Sequence, residues 1–417
     1  MSSRIEGIVA RLHGLYPRLM DLSLDRLKAL LAKLDHPEQR LPPVVHVAGT
    51  NGKGSTCAFV RALAEAAGQR VHVYTSPHLV RFNERIRVAS EIVSDEVLTE
   101  ALEQVERVNE GAPITVFEVI TAVAFYLFAQ TPAELCVLEV GLGGRGDATN
   151  VIDRPAACGI TSISLDHREM LGETLELIAA EKAGILKPGV PVAIGDQPAS
   201  VLKVLLTEAT RVGAPVRLRG RDWWIARQDQ GLRFEDAAGK LALPEPSLPG
   251  AFQLDNAGIA IAALRASGLP MNPAGIARAE WSARLQRLRG HLASLLPADW
   301  ELWLDGGHNP GAAIVLAEHL RSWSDRPVHL VVGMKQSKDA SEFLRPLVPF
   351  ATTVWAVAEP GQHDARPIEA IVEASGGVAK PGPHVADALR ALPRDQRARV
   401  LICGSLYLAG EVLKQDL

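Results

Sequence analysis

Cysteine is scarce: Cys57, Cys136, Cys158 and Cys403 are the four in 417 residues, far apart and with no CxxC pair. That spacing excludes a disulfide-stapled secreted scaffold and a zinc ribbon. Three of the four stand in apolar or helix-like runs and read as core residues. An excess of one charge is also lacking. Lys plus Arg total 44 and Asp plus Glu 48, for a net charge of −4. This argues against a dedicated nucleic-acid or membrane-surface binder, while leaving room for a local basic patch that serves a phosphate. Long apolar runs are missing too. The longest, Val119–Ala129, is far shorter than the ~20 residues that span a bilayer. The opening stretch MSSRIEGIVARLHGLYPRLM carries charges throughout and has no unbroken apolar segment, so a secretory leader is not expected. Together these absences predict a cytoplasmic protein with neither nucleic acid nor membrane as partner.

Apolar residues, in contrast, make up 47% of the chain, enough for well-packed cores. At ~150 residues per domain the length suggests two or three domains. Strand-like runs alternate with helix-like ones. Val44–Ala48, Val71–Tyr74, Leu135–Val140 and Ile160–Leu165 read as strands, with a helix-like run over Thr56–Ala67. The same grammar restarts at Glu301–Leu304, His329–Val332, Thr353–Val357 and Val400–Cys403. Such alternation predicts βαβ units and parallel sheets. Between about Arg217 and Leu248 the pattern changes to a small β excursion or loop layer. The stretch RGHLASLLPADW, Arg289–Trp300, breaks the periodicity with Gly and Pro. The expected organisation is therefore α/β: an N-terminal P-loop-type ATPase domain over residues 1–289, with a mainly parallel sheet and a small β layer, then a smaller Rossmann-like domain over 290–417.

The strongest local signal is HVAGTNGKGST, His46–Thr56. An apolar strand runs into Gly49-Thr50-Asn51-Gly52-Lys53-Gly54-Ser55 and a helix follows at once. The glycines let the backbone curl so that several N–H groups face one anion. The helix N-terminus adds partial positive charge, and Lys53 supplies a full one. The string differs from G-x-x-x-x-G-K-[ST]: Val47 stands at the first Gly position and Gly54 follows the Lys.

Phosphate chemistry calls for a hard cation held by a few oxygen ligands. In a doubly wound sheet the ligands sit at the carboxyl ends of strands. Ser76 and His167 follow strand candidates, and Glu139 sits near the end of one. Taken singly they read better as a turn residue, a strand-end charge and a capping or core histidine; their shared placement beside the phosphate loop reverses that weighting. GLGGRGDATN, Gly141–Asn150, would let backbone approach a ligand, with Arg145 and Asp147 carrying polar contacts. Lys182 reads on its own as a solvated helix lysine.

These segments resemble a known family. GTNGKGS, TSPHLVRFNERI, EVGLGGRGDATN, DHREMLGETLELIAAEKAGILKPGVP, FQLDNAGIAIAAL and DGGHNP occur in the order found in the folylpolyglutamate synthase/dihydrofolate synthase family of Mur-ligase-like ATP-dependent amide ligases. The likeness runs from Asp21 to Leu413. It implies that ATP phosphorylates the carboxylate of dihydropteroate or a reduced folate, and that L-glutamate then displaces phosphate to form an amide. It also implies a monomer working on these small molecules.

The resemblance assigns the ATP phosphates to Thr50, Asn51, Gly52, Lys53, Gly54 and Ser55, and further nucleotide contacts to Asn256, Arg284 and Asp305, with His308 beside them. It assigns two Mg2+ sites to Ser76, Glu139, His167 and Lys182, the lysine carrying a CO2-derived carbamate. Lys53, Glu139, His167 and Lys182 would form the catalytic set. The folate side would comprise Asp21, Leu22, Ser23, Thr115, Val116, Phe117, Glu118, Gly146, Asp147 and Ala148, with Pro77 and Phe82 as apolar walls. Ser23, Gly146, Ala283 and Gly307 depart from the family pattern; Gly146 bears on pterin packing. The segments Asp21–Leu24 and TVFEV point to both glutamate-adding activities. The competing readings are a folylpolyglutamate synthase alone, a UDP-muramoyl-peptide ligase with the same chemistry, and an inactive nucleotide-binding module.

Overall fold

The computed structural model describes residues 3–15 and 23–416. By compactness the chain forms two units. The first holds most of the chain up to Glu280; the second holds Trp281–Leu417 together with Ser164–Asp166 and Leu248–Phe252. The division after Glu280 falls earlier than the Gly- and Pro-containing stretch at Arg289 suggests. The reason is pairing: Gln286–Leu288 is already a strand of the second unit's sheet.

In the first unit the described strands are β1 (Val44–Ala48), β2 (Val71–Tyr74), β3 (Ile86–Val88), β4 (Glu91–Ile92), β5 (Leu135–Glu139), β6 (Ala157–Ile160), β7 (Val192–Ile194) and β8 (Val216–Leu218). Their order is β4-β3-β2-β5-β1-β6-β7-β8. The β3 and β4 edge is antiparallel; the remaining pairs are parallel. Every residue of β1, β2, β5, β6 and β7 is buried. Such strands read as continuous apolar runs rather than alternating ones because both faces are covered. One core gathers Leu27, Leu102, Phe125 and Phe128 from flanking helices with Tyr74 and Leu138 of the sheet. The helix Lys53–Glu65 packs against the helix Gln253–Ala266.

Two elements differ from the expectation. The helix after the phosphate loop begins at Lys53 rather than Thr56. The strand expected over Ile160–Leu165 ends at Ile160, having begun at Ala157. The polar residues of ITSIS leave the ladder: the Ser162 carbonyl accepts hydrogen bonds from the Thr50 and Asn51 amides at 2.9 and 3.1 Å.

The small β layer is an antiparallel sheet of β9 (Trp223–Arg227), β10 (Leu232–Asp236) and β11 (Gly239–Leu243). Its Trp223 ring, 1% exposed, stacks on Phe234 with centroids 5.9 Å apart.

The second unit holds β12 (Gln286–Leu288), β13 (Glu301–Leu304), β14 (Val328–Val332), β15 (Thr353–Ala356), β16 (Lys380–Pro381) and β17 (Arg399–Cys403), in the order β12-β13-β17-β14-β15-β16. Only the β12 pair is antiparallel. Leu285, Leu316, Phe343 and Leu401 lie in its core. All four cysteines are buried and free. Among the described residues no helix is long and apolar enough to cross a membrane.

Candidate active site

The phosphate loop leaves the carboxyl end of β1, the strand between β5 and β6. Its backbone is held from two sides. The Ser162 carbonyl takes the Thr50 and Asn51 amides. Two lysines converge on the Gly49 carbonyl: Lys182 Nζ donates at 2.8 Å and Lys53 Nζ at 3.2 Å, the latter also donating to the Thr50 carbonyl at 3.2 Å. Gly52 precedes the helix with φ of 92°. A side chain there would be strained and would place Cβ 2.3 Å from Asn256 Oδ1, so glycine is required both by conformation and by space. Asn256 thus lies against the loop, and its Nδ2 donates to Gln253 Oε1 at 2.8 Å.

The first N–H groups of any helix have no intrahelical acceptor, and here they belong to Lys53, Gly54 and Ser55. Ser55 Oγ, Thr56 Oγ1 and Gln253 Nε2 are buried with no hydrogen-bond partner. Orphaned buried polar atoms beside open amides fit a ligand that supplies phosphate oxygens and a hard cation.

Ser76 and Glu139 stand at the ends of neighbouring strands, since Tyr74 pairs with Leu138. The Ser76 amide donates to Glu139 Oε2 at 3.2 Å, and Glu139 is 4% exposed. The Ser76–Pro77 peptide is cis. His167 lies seven residues beyond β6 with φ of 50°, and its Nδ1 is 3.9 Å from Glu169. Among the described residues no three His, Cys, Asp or Glu side chains cluster as a metal site. The expected set therefore depends on a serine oxygen and on Lys182 in addition to Glu139 and His167. Lys182 is not a solvated helix lysine. It ends the helix Leu175–Lys182 and is 5% exposed.

On the candidate folate side, Asp21 and Leu22 lie outside the described residues. Ser23 Oγ accepts the Asp25 amide at 3.3 Å. Thr115 and Glu118 form a capping box at the start of the helix Val116–Gln130: Thr115 Oγ1 accepts the Glu118 amide at 3.2 Å and Glu118 Oε2 accepts the Thr115 amide at 2.8 Å. Arg26 pairs with the same carboxylate at 3.2 Å. Phe117 is half-buried and lies against Gly141. Phe82 is 4% exposed under His78 and Arg85, so it is a core residue rather than an open wall; Pro77 is exposed.

Asp147 departs from the expectation that it offers its carboxylate to a ligand. It is 2% exposed and its oxygens are committed inside the loop. Oδ2 accepts the Gly141 and Leu142 amides at 3.0 and 2.9 Å; Oδ1 accepts the Thr149 amide at 3.0 Å and its hydroxyl at 2.5 Å. Burial raises its pKa and these donors oppose the rise. Gly146 and Ala148 flank it. Arg145 donates its amide to the Glu181 carbonyl at 2.9 Å.

In the second unit Asp305 directly follows β13 and is 4% exposed. Its Oδ2 accepts the Leu285 amide at 2.9 Å and its Oδ1 the Gly307 amide at 2.7 Å. Burial pushes its carboxyl up, while Arg284 and those amides oppose the shift. Arg284 stands between Ala283 and Leu285, whose φ values are 54° and 44°. Two non-glycine residues in that region cost about 1 kcal/mol or more each, and Asp305 helps to hold them. His308 Nδ1 donates to the Gly306 carbonyl at 2.9 Å. Sequence reasoning passed over Asp166, whose Oδ1 takes Lys338 Nζ and whose Oδ2 takes Asn309 Nδ2 at 3.0 Å. Its only signal was adjacency to His167.

Comparison with known proteins shows the family. Residues 47–264 match the Mur ligase middle domain and residues 284–406 the Mur ligase glutamate ligase domain. The chain is 35% identical to the dihydrofolate synthase/folylpolyglutamate synthase of Escherichia coli (strain K12), over 99% of this chain and 96% of that one. It superposes on E. coli FolC in complex with DHPP and ADP with a TM-score of 0.90 at 34% identity, covering 99% of this chain and 97% of the other. A bifunctional folylpolyglutamate synthase/dihydrofolate synthase with Mn, AMPPNP and L-glutamate bound gives a TM-score of 0.87 at 32% identity, covering 99% and 98%. With sequence and fold matched from end to end, the chain belongs to the dihydrofolate synthase/folylpolyglutamate synthase family of Mur ligases.

Proposed function

We propose that this chain is an ATP-dependent ligase that adds L-glutamate to dihydropteroate, giving dihydrofolate, and to the γ-carboxylate of reduced folates, giving polyglutamates. The observation that carries this reading is the loop Gly49–Ser55, braced by Lys53 and Lys182, with the buried Ser55 and Thr56 hydroxyls left without partners. A carboxylate is a poor electrophile because it lacks a leaving group. Transfer of the γ-phosphoryl group of ATP to a carboxylate oxygen releases ADP and supplies that leaving group. The glutamate amine then attacks the acyl carbon, the C–N bond forms as the C–O bond to phosphate breaks, and the amine proton leaves. The loop amides and Lys53 would hold the phosphates and offset their charge.

A divalent cation would be held by Ser76, Glu139 and His167, with a second supported by Lys182; it would supply charge neutralisation on the phosphates. Magnesium suits the oxygen donors of Ser76, Glu139 and a carboxylated Lys182. Carboxylation of Lys182 by CO2 would turn its nitrogen into a carbamate that still keeps one N–H for the Gly49 carbonyl while adding two acceptor oxygens. Asn256, Arg284 and Asp305 belong to the nucleotide side of this reading. Ser23, Thr115–Glu118 and Gly146–Ala148 belong to the folate side, where Asp147 would act through the shape of its turn. A cytoplasmic monomer acting on small molecules completes the proposal.

The deciding experiment supplies purified protein with ATP, magnesium and labelled glutamate, and offers dihydropteroate and tetrahydrofolate in parallel. Both are expected to gain glutamate with matching release of ADP. Incorporation into one acid alone would remove the bifunctional reading. Use of a UDP-muramoyl acceptor with neither folate accepted would replace it with the peptidoglycan-ligase reading.

A further inference from the structure

His46 sits in the middle of β1, three residues before Gly49, and is fully buried. A histidine inside an otherwise apolar central strand calls for a partner. Its Nε2 lies 2.8 Å from Thr149 Oγ1. Thr149 Oγ1 is in turn 2.5 Å from Asp147 Oδ1. The proton positions follow from the donor count. Asp147 receives four donors on two oxygens, the full acceptor capacity of a carboxylate, so it accepts throughout. The single Thr149 hydroxyl proton therefore goes to Asp147, and the Thr149 oxygen must accept from His46. His46 is thus the Nε2–H tautomer, and Nδ1 should have no proton to give. It is buried without a partner, as that tautomer permits in an apolar strand.

The chain of bonds ties the strand that carries the phosphate loop to the turn 141–149 after β5. That turn does three things. It begins two residues after Glu139. Gly141 seats Phe117, since a Cβ there would lie 2.3 Å from the Phe117 ring tip. Gly144 lies against the Glu181 carbonyl and Lys182 Cα, where a Cβ would approach to 2.7 and 2.9 Å. We propose that His46 and Thr149 are positioning residues: by orienting Asp147 they fix the 141–149 turn, and through it the seat of Phe117, so that they set affinity for the pteridine-bearing acid while leaving ATP binding unchanged. This rests on the ligase reading above. The phosphate loop has its own braces, the Ser162 carbonyl and the Nζ atoms of Lys53 and Lys182, and Gly144 meets Lys182 at its backbone rather than at Nζ, which is why ATP should be spared.

The test uses the full chain with Thr149→Val, which keeps the shape and removes the hydroxyl, Thr149→Ser, which keeps the hydroxyl, and His46→Leu. In steady-state assays Thr149→Val and His46→Leu are expected to raise the KM for dihydropteroate about tenfold with the KM for ATP within twofold, and Thr149→Ser to stay within threefold of the native value. Hydrogen exchange over 139–150, read without substrate, is expected to quicken about tenfold at Gly141 and Leu142 in Thr149→Val and not in Thr149→Ser. Unchanged exchange and unchanged KM in Thr149→Val would overturn the proposal, as would a parallel rise in both KM values. If His46→Leu does not fold, the Thr149 pair still decides. A native chain that adds no glutamate at all would instead defeat the ligase reading, and the exchange measurement would judge the relay independently.

Discussion

Replacing Gly52 by alanine tests the phosphate loop most directly. The residue has φ of 92°, and an added Cβ would lie 2.3 Å from Asn256 Oδ1 and 3.0 Å from its Cγ. Placing an L-residue in that region costs about 1–2 kcal/mol. Relief of the clash requires Asn256 to retract, which loses its 2.8 Å bond to Gln253, worth about 1 kcal/mol. The sum is about 2–3 kcal/mol, a weakening of ATP binding by roughly 30- to 140-fold if the free loop relaxes and must be restored on binding. Gly68→Ala provides the control. It has φ of 83° with nothing within 4 Å, so it carries the backbone cost without the clash and lies outside the loop. Isothermal titration with a non-hydrolysable ATP analogue, alongside thermal melts of both variants, separates the effects. Both are expected to melt a few degrees lower, and only Gly52→Ala should lose nucleotide affinity. Equal dissociation constants for the two folded variants would refute the assignment of Gly52 and Asn256 to the nucleotide.

Other consequences can be measured in the same system. Lys182→Ala should abolish turnover, with partial recovery in added short-chain carboxylic acids that replace the lost carbamate oxygens; near-normal rates without them would rule out carboxylation. Lys53→Ala should remove ATP-dependent turnover while far-UV circular dichroism and the melting temperature stay close to native, because its Nζ holds only two loop carbonyls. Burial lowers the His46 pKa to about 3, so between pH 6.5 and 3 the unfolded chain binds a proton that the folded chain refuses, and stability falls as pH drops through that window. At pH 5 the loss is about 2 kcal/mol, from roughly 1.5 pH units at 1.4 kcal/mol each. His46→Gln should lack it, so denaturation at pH 7 and pH 5 should show the variant gaining on the native protein by that amount; a constant gap would contradict the burial argument. Asp305→Asn removes one acceptor from the Leu285–Gly307 pair and should raise the KM for ATP about tenfold, checked by initial rates at saturating acid and glutamate.

Most sheet-forming runs, the phosphate loop and the order of the family segments are legible in the chain alone, whereas the run Ile160–Leu165 is shifted in the fold to Ala157–Ile160. Buried parallel strands such as Val44–Ala48 are apolar on both faces but for the bonded His46, and a glycine-rich turn between such a strand and a helix has few other uses. Tertiary structure alone decided the fate of polar residues whose partners are distant in the chain. Lys182 looks like a surface helix residue until the helix Leu175–Lys182 places its Nζ on Gly49, 133 residues away. Asp147 looks like a ligand contact until four donors occupy it, and the link from His46 to Thr149 spans 103 residues. Local pattern reports burial and turn chemistry. It does not report which donor meets which acceptor once strands from separate parts of the chain lie side by side, and that pairing sets what each polar group of the site can do.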